Sequence, residues 1–402
     1  MNIFFKAYCR IYQKIFHIAA PFLPYRTPKL LSSVSELPPL LKEKKLSRVF
    51  FVIDSFLFKS GAAEPLIEKL RESGAEVTVF DKVTPNTTIE CVEEARGLYA
   101  SQKCDCIIGF GGGSAIDCAK GVGARIARPK KSLQKMRGIL KIIKKPPFTV
   151  AIPTTAGTGS ETTVTIVLTD GKTHEKYPIS DLCLIPDVAV LDASLTTTLP
   201  KGMTATTGMD ALTHAVEAYI GISKLRVTQK SAREAVKLVM ENIEEAYENG
   251  ENLTARKNML YAAYLGGYSF SKSYVGYCHA VAHTLGGKYN IPHGLANAAL
   301  LPYVLDCYGA AVHKDLCRLA VFCGLCDEKT SPAEGAGIFT EKIRELNRTL
   351  GIPEKLSGIC AGDVPHLARL ASKEANPIYP VPVLMDAKAL ERFYFAVAEE
   401  TK

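Results

Sequence analysis

The sequence predicts an α/β domain followed by an all-helical domain. Two observations carry this. From Arg48 to residue 198, short apolar runs rich in β-branched residues alternate with helical segments. Beyond Leu199 such runs disappear and helical periodicity takes over. The length of 402 residues fits about two domains and suffices to bury a core without staples. The expected divisions are an N-terminal helix and linker (1–47), the α/β domain (48–198) and the helical domain (199–402).

Residues 1–26 carry Lys6, Arg10 and Lys14 at every fourth position, with Phe, Tyr and Ile filling the other faces. That spacing predicts an amphipathic basic helix, ended by Pro21 and Pro24. Its apolar run is too interrupted to span a bilayer, so it either packs on protein or lies at a membrane interface as a peripheral contact. A leucine- and proline-rich linker (21–47) follows.

RVFFVI (48–53), EVTVF (76–80), DCIIGF (105–110), FTVAIP (148–153), TTVTIVLT (162–169) and DVAVLD (187–192) read as strands. Their near-continuous apolar character suits a parallel sheet buried on both faces. Residues 61–73 and 86–101 read as intervening helices, the second opened by Asn86 and Thr87. In the later half, helices are expected at 204–220, 225–249, 253–270, 275–285, 295–308, 311–324, 332–349 and 364–374.

Charged residues make up 22% of the chain and hydrophobic ones 47%, ordinary for a globular protein. The net charge of +8 is concentrated in residues 125–145, which hold nine Lys or Arg and no acid. With no nucleic-acid-binding module and no interleaved aromatics, this run reads as a solvated surface, and no nucleic-acid partner is expected. With no signal peptide in view, the twelve cysteines are expected as free thiols in the cytoplasm. Cys323 and Cys326 form a lone CxxC without the second pair that a zinc or iron–sulfur site needs.

Five stretches carry chemistry. GFGGGSAIDCAK (109–120) follows a strand and opens a helix, where free N–H groups attract an anion; it reads as a phosphate-binding turn or as a plain tight turn. Asp117 lies near the start of that helix. Asp54, ending the first strand, is either a capping residue or an acceptor for ribose hydroxyls. PTTAGTGSETT (153–163) is a loop of hydroxyls and glycines suited to a flat ligand, or simply flexible. In GMDALTHAVEAY (208–219), Asp210 and His214 share a helix face among apolar neighbours, as a buried pair or as two metal ligands.

The fifth stretch is CHAVAHTLGGKYNIPHG (278–294), which holds three of the chain's eight histidines. His279 and His283 are again four apart, with GG at 286–287 expected to end their helix, and His293 follows a proline. One carboxylate with imidazoles suits Fe²⁺, Zn²⁺ or a similar divalent ion. Spacing does not tell which of His279 and His283 is a ligand.

Together these stretches, in this order from about Arg48 onward, resemble the iron-containing (group III) alcohol dehydrogenase family of dehydroquinate-synthase-like fold. GGGS (111–114), PTTAGTGSE (153–161), GMDALTHAVEAY and HAVAHTLGGKYNIPHG resemble its signatures closely. The resemblance implies an NAD-binding α/β domain and a metal-binding helical domain. It implies hydride transfer between NAD(H) and a metal-bound small alcohol or aldehyde, by a chain that forms a homodimer or higher homo-oligomer. Asp210, His214, His279 and His293 stand where the family holds its metal, most often Fe²⁺ and sometimes Zn²⁺. His283 stands where a proton is moved. Gly111, Gly112, Gly113 and Ser114 match the pyrophosphate turn, and Asp117 is counted with them as cofactor-binding. Thr154, Thr155 and Thr158 match the loop beside the nicotinamide, Lys176 a cofactor contact, and Asp54 an acid that goes with NAD(H) preference. A dehydroquinate-synthase-like lyase or cyclase and a membrane-associated binding protein are the alternatives. The N-terminal helix, where family members commonly begin with a strand pair, departs from the pattern.

Overall fold

A computed structural model describes residues 1–171 and 175–399. The chain divides into two compact units, one of Pro24–Leu199 and one of Met1–Leu23 with Pro200–Lys402. The first helix, α1 (Ile3–Ala19), therefore belongs with the C-terminal helices and not with the α/β unit that follows it in sequence.

The α/β unit runs β1 (Lys29–Leu31), α2 (Leu37–Glu43), β2 (Arg48–Asp54), α3 (Ser55–Lys59), α4 (Glu64–Glu72), β3 (Glu76–Val83), α5 (Ile89–Ser101), β4 (Cys106–Gly111), α6 (Gly113–Ala127), α7 (Leu133–Met136), β5 (Gly138–Ile139), β6 (Phe148–Pro153), β7 (Thr165–Thr169), β8 (Lys176–Ser180) and β9 (Val188–Val190). Six strands form one parallel sheet in the order β1-β9-β6-β4-β2-β3. Strand side chains alternate between two cores. Phe50, Val52 and Ile107 pack with residues of α5 and α6 on one face. Val49, Phe51, Ile53, Ile108 and Phe110 pack with residues of α2 and α4 on the other. Burial on both faces is why these strands read as continuous apolar runs.

Strand order reverses beside β2, whose successor β3 lies on one side and β4 on the other. The carboxyl ends of β2, β4 and β6 thus stand together at a topological switch point, where open α/β sheets bind ligands.

Three features differ from the expectation. The linker forms an edge strand, β1, parallel to β9. β7 leaves the main sheet and pairs antiparallel with β8 in a second, three-stranded sheet with β5. Its residues alternate in burial, as a strand covered on one face does. The basic run is also only partly surface: Leu133, Met136 and Ile142 are buried, and Arg125 turns inward to Glu93 and to the carbonyls of Arg128, Pro129 and Lys131. All twelve cysteines are free.

The helical unit contains α8 (Lys201–Ile220), α9 (Arg226–Glu248), α10 (Leu253–Ser273), α11 (Tyr277–Tyr289), α12 (His293–Tyr308), α13 (His313–Phe322), α14 (Pro332–Thr349), α15 (Val364–Ala375) and α16 (Ala387–Val397). α8 is buried nearly all round by α9, α10 and α12. Small residues (Gly208, Ala211, Ala215) admit these neighbours, so its polar residues Asp210, Thr213, His214 and Glu217 lie in the interior. The GG pair does not end α11, which runs on to Tyr289 and stops at Asn290 in the left-handed conformation. α16 was not expected; it packs on α11, α12 and α15. No single helix among the described residues is long and apolar enough to cross a membrane.

α1 packs through Cys9, Gln13 and Ala20, which are fully buried. Gln13 Nε2 donates to the carbonyls of Tyr379 (2.7 Å) and Pro377 (3.2 Å), and Arg10 to those of Val381 (2.7 Å) and Pro382 (2.8 Å). The three evenly spaced basic residues are thereby separated: Arg10 is committed inward, while Lys6 and Lys14 are exposed.

Candidate metal centre and cofactor turn

The helical unit brings Asp210 and His214 of α8 together with His279 of α11 and His293, the first residue of α12. One potential ligand atom from each lies within 4.8 Å of the other three. Asp210 Oδ1 is 3.8 Å from His279 Nε2 and 3.5 Å from His293 Nε2, and Asp210 Oδ2 is 3.9 Å from His214 Nδ1. Asp210, His214 and His279 are buried.

His279 Nε2 is buried and has no hydrogen-bond partner, an arrangement that costs free energy unless something else meets that lone pair. Its other nitrogen, Nδ1, is 2.6 Å from Glu217 Oε2. The carboxylate thus fixes the tautomer that turns a bare Nε2 toward Asp210. Burial, with His214, His293 and His283 around it, holds the His279 pKa well below the ordinary histidine value, so the ring is neutral and its lone pair available. A carboxylate and three imidazoles are borderline nitrogen and oxygen donors, and the set fits a divalent transition metal.

Glu217 is held in turn by the backbone N–H groups of Gly276 (2.8 Å) and Cys278 (2.9 Å). Burial nevertheless pushes its pKa up to about 7. The carboxylate sits so close to Gly276 that a Cβ there would lie 2.5 Å from Oε1 and would displace the carboxylate from its hydrogen bonds. Asn297, one turn into α12, donates through Nδ2 to Asp210 Oδ1 at 2.7 Å and lies 3.1 Å from His293 Nε2. The His214 ring stacks on Phe270 at 4.4 Å between centroids.

His283 is outside the four-residue cluster. Its ring stacks on that of His293 (5.1 Å, 17° between planes), and its Nδ1 is 2.7 Å from Glu374 Oε1 on α15. The Tyr379 hydroxyl donates to the same oxygen at 2.7 Å. Glu217, Asn297, Glu374 and Tyr379 were not identified from the sequence. Glu217 sits in a quoted motif, but its partners lie about sixty residues away; the long-range contacts carry the signal.

In the α/β unit, the glycine turn and the threonine loop are neighbours. Thr154 N–H donates to Gly111 C=O at 3.0 Å. A Cβ on Gly112 would stand 3.5 Å from the Thr155 side chain, and one on Gly113 only 2.9 Å from Thr158 Cγ2. Gly112 caps α6 and Ser114 lies in its first turn, so N–H groups free of helical partners face the carboxyl ends of the strands. Asp54 spends Oδ1 capping α3 at Phe56 and Leu57 (3.0 and 2.9 Å), while Oδ2 lies beside Gly111.

Asp117 turns to its own fold: its carboxylate accepts from the Ser160 hydroxyl and from Val167 N–H (2.9 Å). One turn on, the buried Lys120 donates to the carbonyls of Ser160 (3.1 Å), Thr163 (2.9 Å) and Thr165 (2.7 Å). Burial lowers the Lys120 pKa to about 8 and raises that of buried Glu161 to about 7. Both Asp117 and Lys120 therefore brace the loop that carries the threonines. Lys176 Nζ donates to Asn86 Oδ1 at 2.5 Å, and burial lowers its pKa.

Comparison with known proteins accounts for both halves. Residues 31–193 match the model for iron-containing alcohol dehydrogenase, and residues 204–395 that for the C-terminal part of the Fe-containing alcohol dehydrogenase family. The chain is 38% identical to 1,3-propanediol dehydrogenase of Citrobacter freundii over 90% of its length and 94% of the relative's. It is 33% identical to NAD-dependent methanol dehydrogenase of Bacillus methanolicus, over 88% and 93%. A crystal structure of 1,3-propanediol oxidoreductase superposes with a TM-score of 0.88 at 35% identity, covering 92% of this chain and 98% of that one. With both units matched and the potential ligands gathered on three helices, the chain belongs to the iron-containing alcohol dehydrogenase family, the metal-dependent alcohol dehydrogenases.

Proposed function

We propose that the protein is an NAD(H)-dependent alcohol dehydrogenase and aldehyde reductase for small alcohols, diols and aldehydes, with Asp210, His214, His279 and His293 as the ligands of a divalent metal, Fe²⁺ before Zn²⁺. The observation that supports this most is the buried, partnerless Nε2 of His279 among three other donor groups. When bound, the metal supplies Lewis acidity to a substrate oxygen, and NAD(H) supplies or accepts the hydride. Relatives named for 1,3-propanediol and methanol support the small-alcohol substrate class.

The chain's own residues do the rest. Glu217 holds His279 in one tautomer and orientation, and Asn297 holds Asp210 Oδ1. His283, hydrogen-bonded to Glu374 and through it to Tyr379, moves a proton at its Nε2. Gly111, Gly112, Gly113 and Ser114 give a pyrophosphate close approach to free N–H groups, with Asp117 holding the loop behind them. Thr154, Thr155 and Thr158 line the neighbouring nicotinamide side, and Lys176, hydrogen-bonded to Asn86, binds the cofactor at its edge. Asp54 Oδ2 accepts from ribose hydroxyls and disfavours a 2′-phosphate. A homodimer or higher homo-oligomer in the cytoplasm, touching the inner membrane face through residues 1–26, completes the proposal.

The test is NADH oxidation with a panel of small aldehydes after loading with Fe²⁺, Zn²⁺ or no metal. Turnover that needs metal and fails in His279→Ala and His293→Ala is expected. Full activity and metal content in both variants would refute the ligand assignment. NAD reduced and reoxidised with no net NADH consumed would favour a lyase or cyclase.

A further inference from the structure

α1 presents two faces of different use. One, centred on Cys9, Gln13 and Ala20, is clasped to its own unit. The opposite face is apolar and exposed: Phe4 (80%), Tyr8, Ile11 (59%), Ile15 (62%), Ile18, and Phe22 (85%) in the turn that follows. Their spacings of four, three, four and three residues keep Phe4 to Ile18 within about 40° of one line along α1, with Phe22 beyond them in the turn. The stripe is therefore nearly straight, about 21 Å long within α1 at 1.5 Å per residue. Scattered surface apolar residues need no explanation, but a continuous stripe of this length does.

We propose that this stripe seats the protein on an anionic lipid surface, α1 lying in the plane of the headgroups. The inference deepens the peripheral contact proposed above and does not depend on the catalytic reading. Three features select lipid over a second copy of the chain. Every charged side chain on α1 is positive and no acid occurs among residues 1–35, so the same face of a second copy offers Lys14, which flanks the stripe, no partner, whereas anionic headgroups do. The exposed apolar residues include bulky Phe4 and Phe22 and the amphipathic Tyr8, side chains suited to the boundary between headgroups and acyl chains. Finally, a nearly straight stripe meets a flat surface along its whole length. The opposite face is held by four hydrogen bonds from Arg10 and Gln13 to the 377–382 segment, so the helix is presented already formed and pays little ordering entropy on docking.

The test uses the full chain, sedimented with vesicles of phosphatidylcholine alone or of phosphatidylcholine with phosphatidylglycerol. The parent is expected to bind the anionic vesicles, more weakly at high salt. The Ile11→Ser/Ile15→Ser variant, altered only at exposed positions, is expected to lose at least about tenfold in partitioning, since each burial it removes is worth more than that factor's half. Its dehydrogenase activity without vesicles stays at the parent level. Lys14→Gln is expected to weaken the preference for anionic lipid. No binding to anionic vesicles, or equal binding by parent and Ile variant, overturns the proposal. So does a smaller oligomer in the Ile variant by light scattering, which would assign the stripe to a second copy. Loss of vesicle binding with unchanged turnover, or the converse, separates this inference from the catalytic one.

Discussion

Glu217 is the residue through which the fold would control the proposed metal centre most directly, and its removal has a magnitude that follows from the contacts. Glu217→Ala deletes the acceptor for two buried backbone N–H groups, of Gly276 and Cys278, and frees His279 Nδ1. Each buried donor left unsatisfied costs about 1–3 kcal/mol, so the metal-free protein should lose about 2–6 kcal/mol of stability. Loss of the carboxylate behind a ligating histidine typically weakens metal binding about 10–100-fold. Glu217→Gln separates these effects. Oε1 accepts from Cys278 and Oε2 from Gly276 and His279 Nδ1, so a glutamine placing its amide nitrogen at Oε1 keeps the Gly276 and His279 contacts with its oxygen. The glutamine should therefore cost about 1–3 kcal/mol and weaken metal binding by less than about tenfold. The assay is metal competition against a chromophoric chelator, with chemical denaturation of the metal-stripped proteins. If Glu217→Ala is destabilised but binds Fe²⁺ and Zn²⁺ as tightly as the parent, Glu217 merely caps the entry to α11 and the orienting role is wrong.

Other consequences are equally open to measurement. His283→Ala should retain its metal while kcat falls about 10²–10⁴-fold, the range for a lost proton-transfer group; loss of metal would make His283 a ligand instead. Gly113→Ala places a Cβ 2.9 Å from Thr158 Cγ2 and should raise the KM for NADH about tenfold or more, with unchanged metal affinity in a chelator titration. Glu161 yields a pH prediction. Burial raises its pKa from 4.5 to about 7, so its contribution to stability is full below 4.5 and lost as pH rises through 7, about 3 kcal/mol in all. Denaturation of Glu161→Gln across pH 4.5–7 should lack that decline, and an unchanged slope would contradict it.

The legible parts of this fold share a physical reason. β2, β4 and β6 are buried on both faces by their own unit, so their composition alone marks them. β1 pairs only three residues at the edge of the sheet, and its partner β9 lies far along the chain, so nothing local announces it. α16 follows a proline-rich stretch and is secured by α15 before it together with α11 and α12, which are distant in sequence. The site divides the same way. Asp210 with His214 and His279 with His283 are visible as pairs because helical spacing is local. Which histidine turns to the centre is decided by Glu217 on one ring and Glu374 on the other, sixty-two and ninety-one residues away. Asp117 looked like a cofactor contact at a helix start, but the carboxylate faces Ser160 and Val167, which only the folded loop brings to it.

The account rests on four protein ligands meeting at one metal. X-ray absorption at the metal edge of the Fe²⁺- or Zn²⁺-loaded protein tests that directly. The prediction is a shell of three imidazole nitrogens and a carboxylate oxygen at about 2.0–2.2 Å, losing one imidazole in His293→Ala. A shell containing sulfur, or one unchanged in both His279→Ala and His293→Ala, would contradict it.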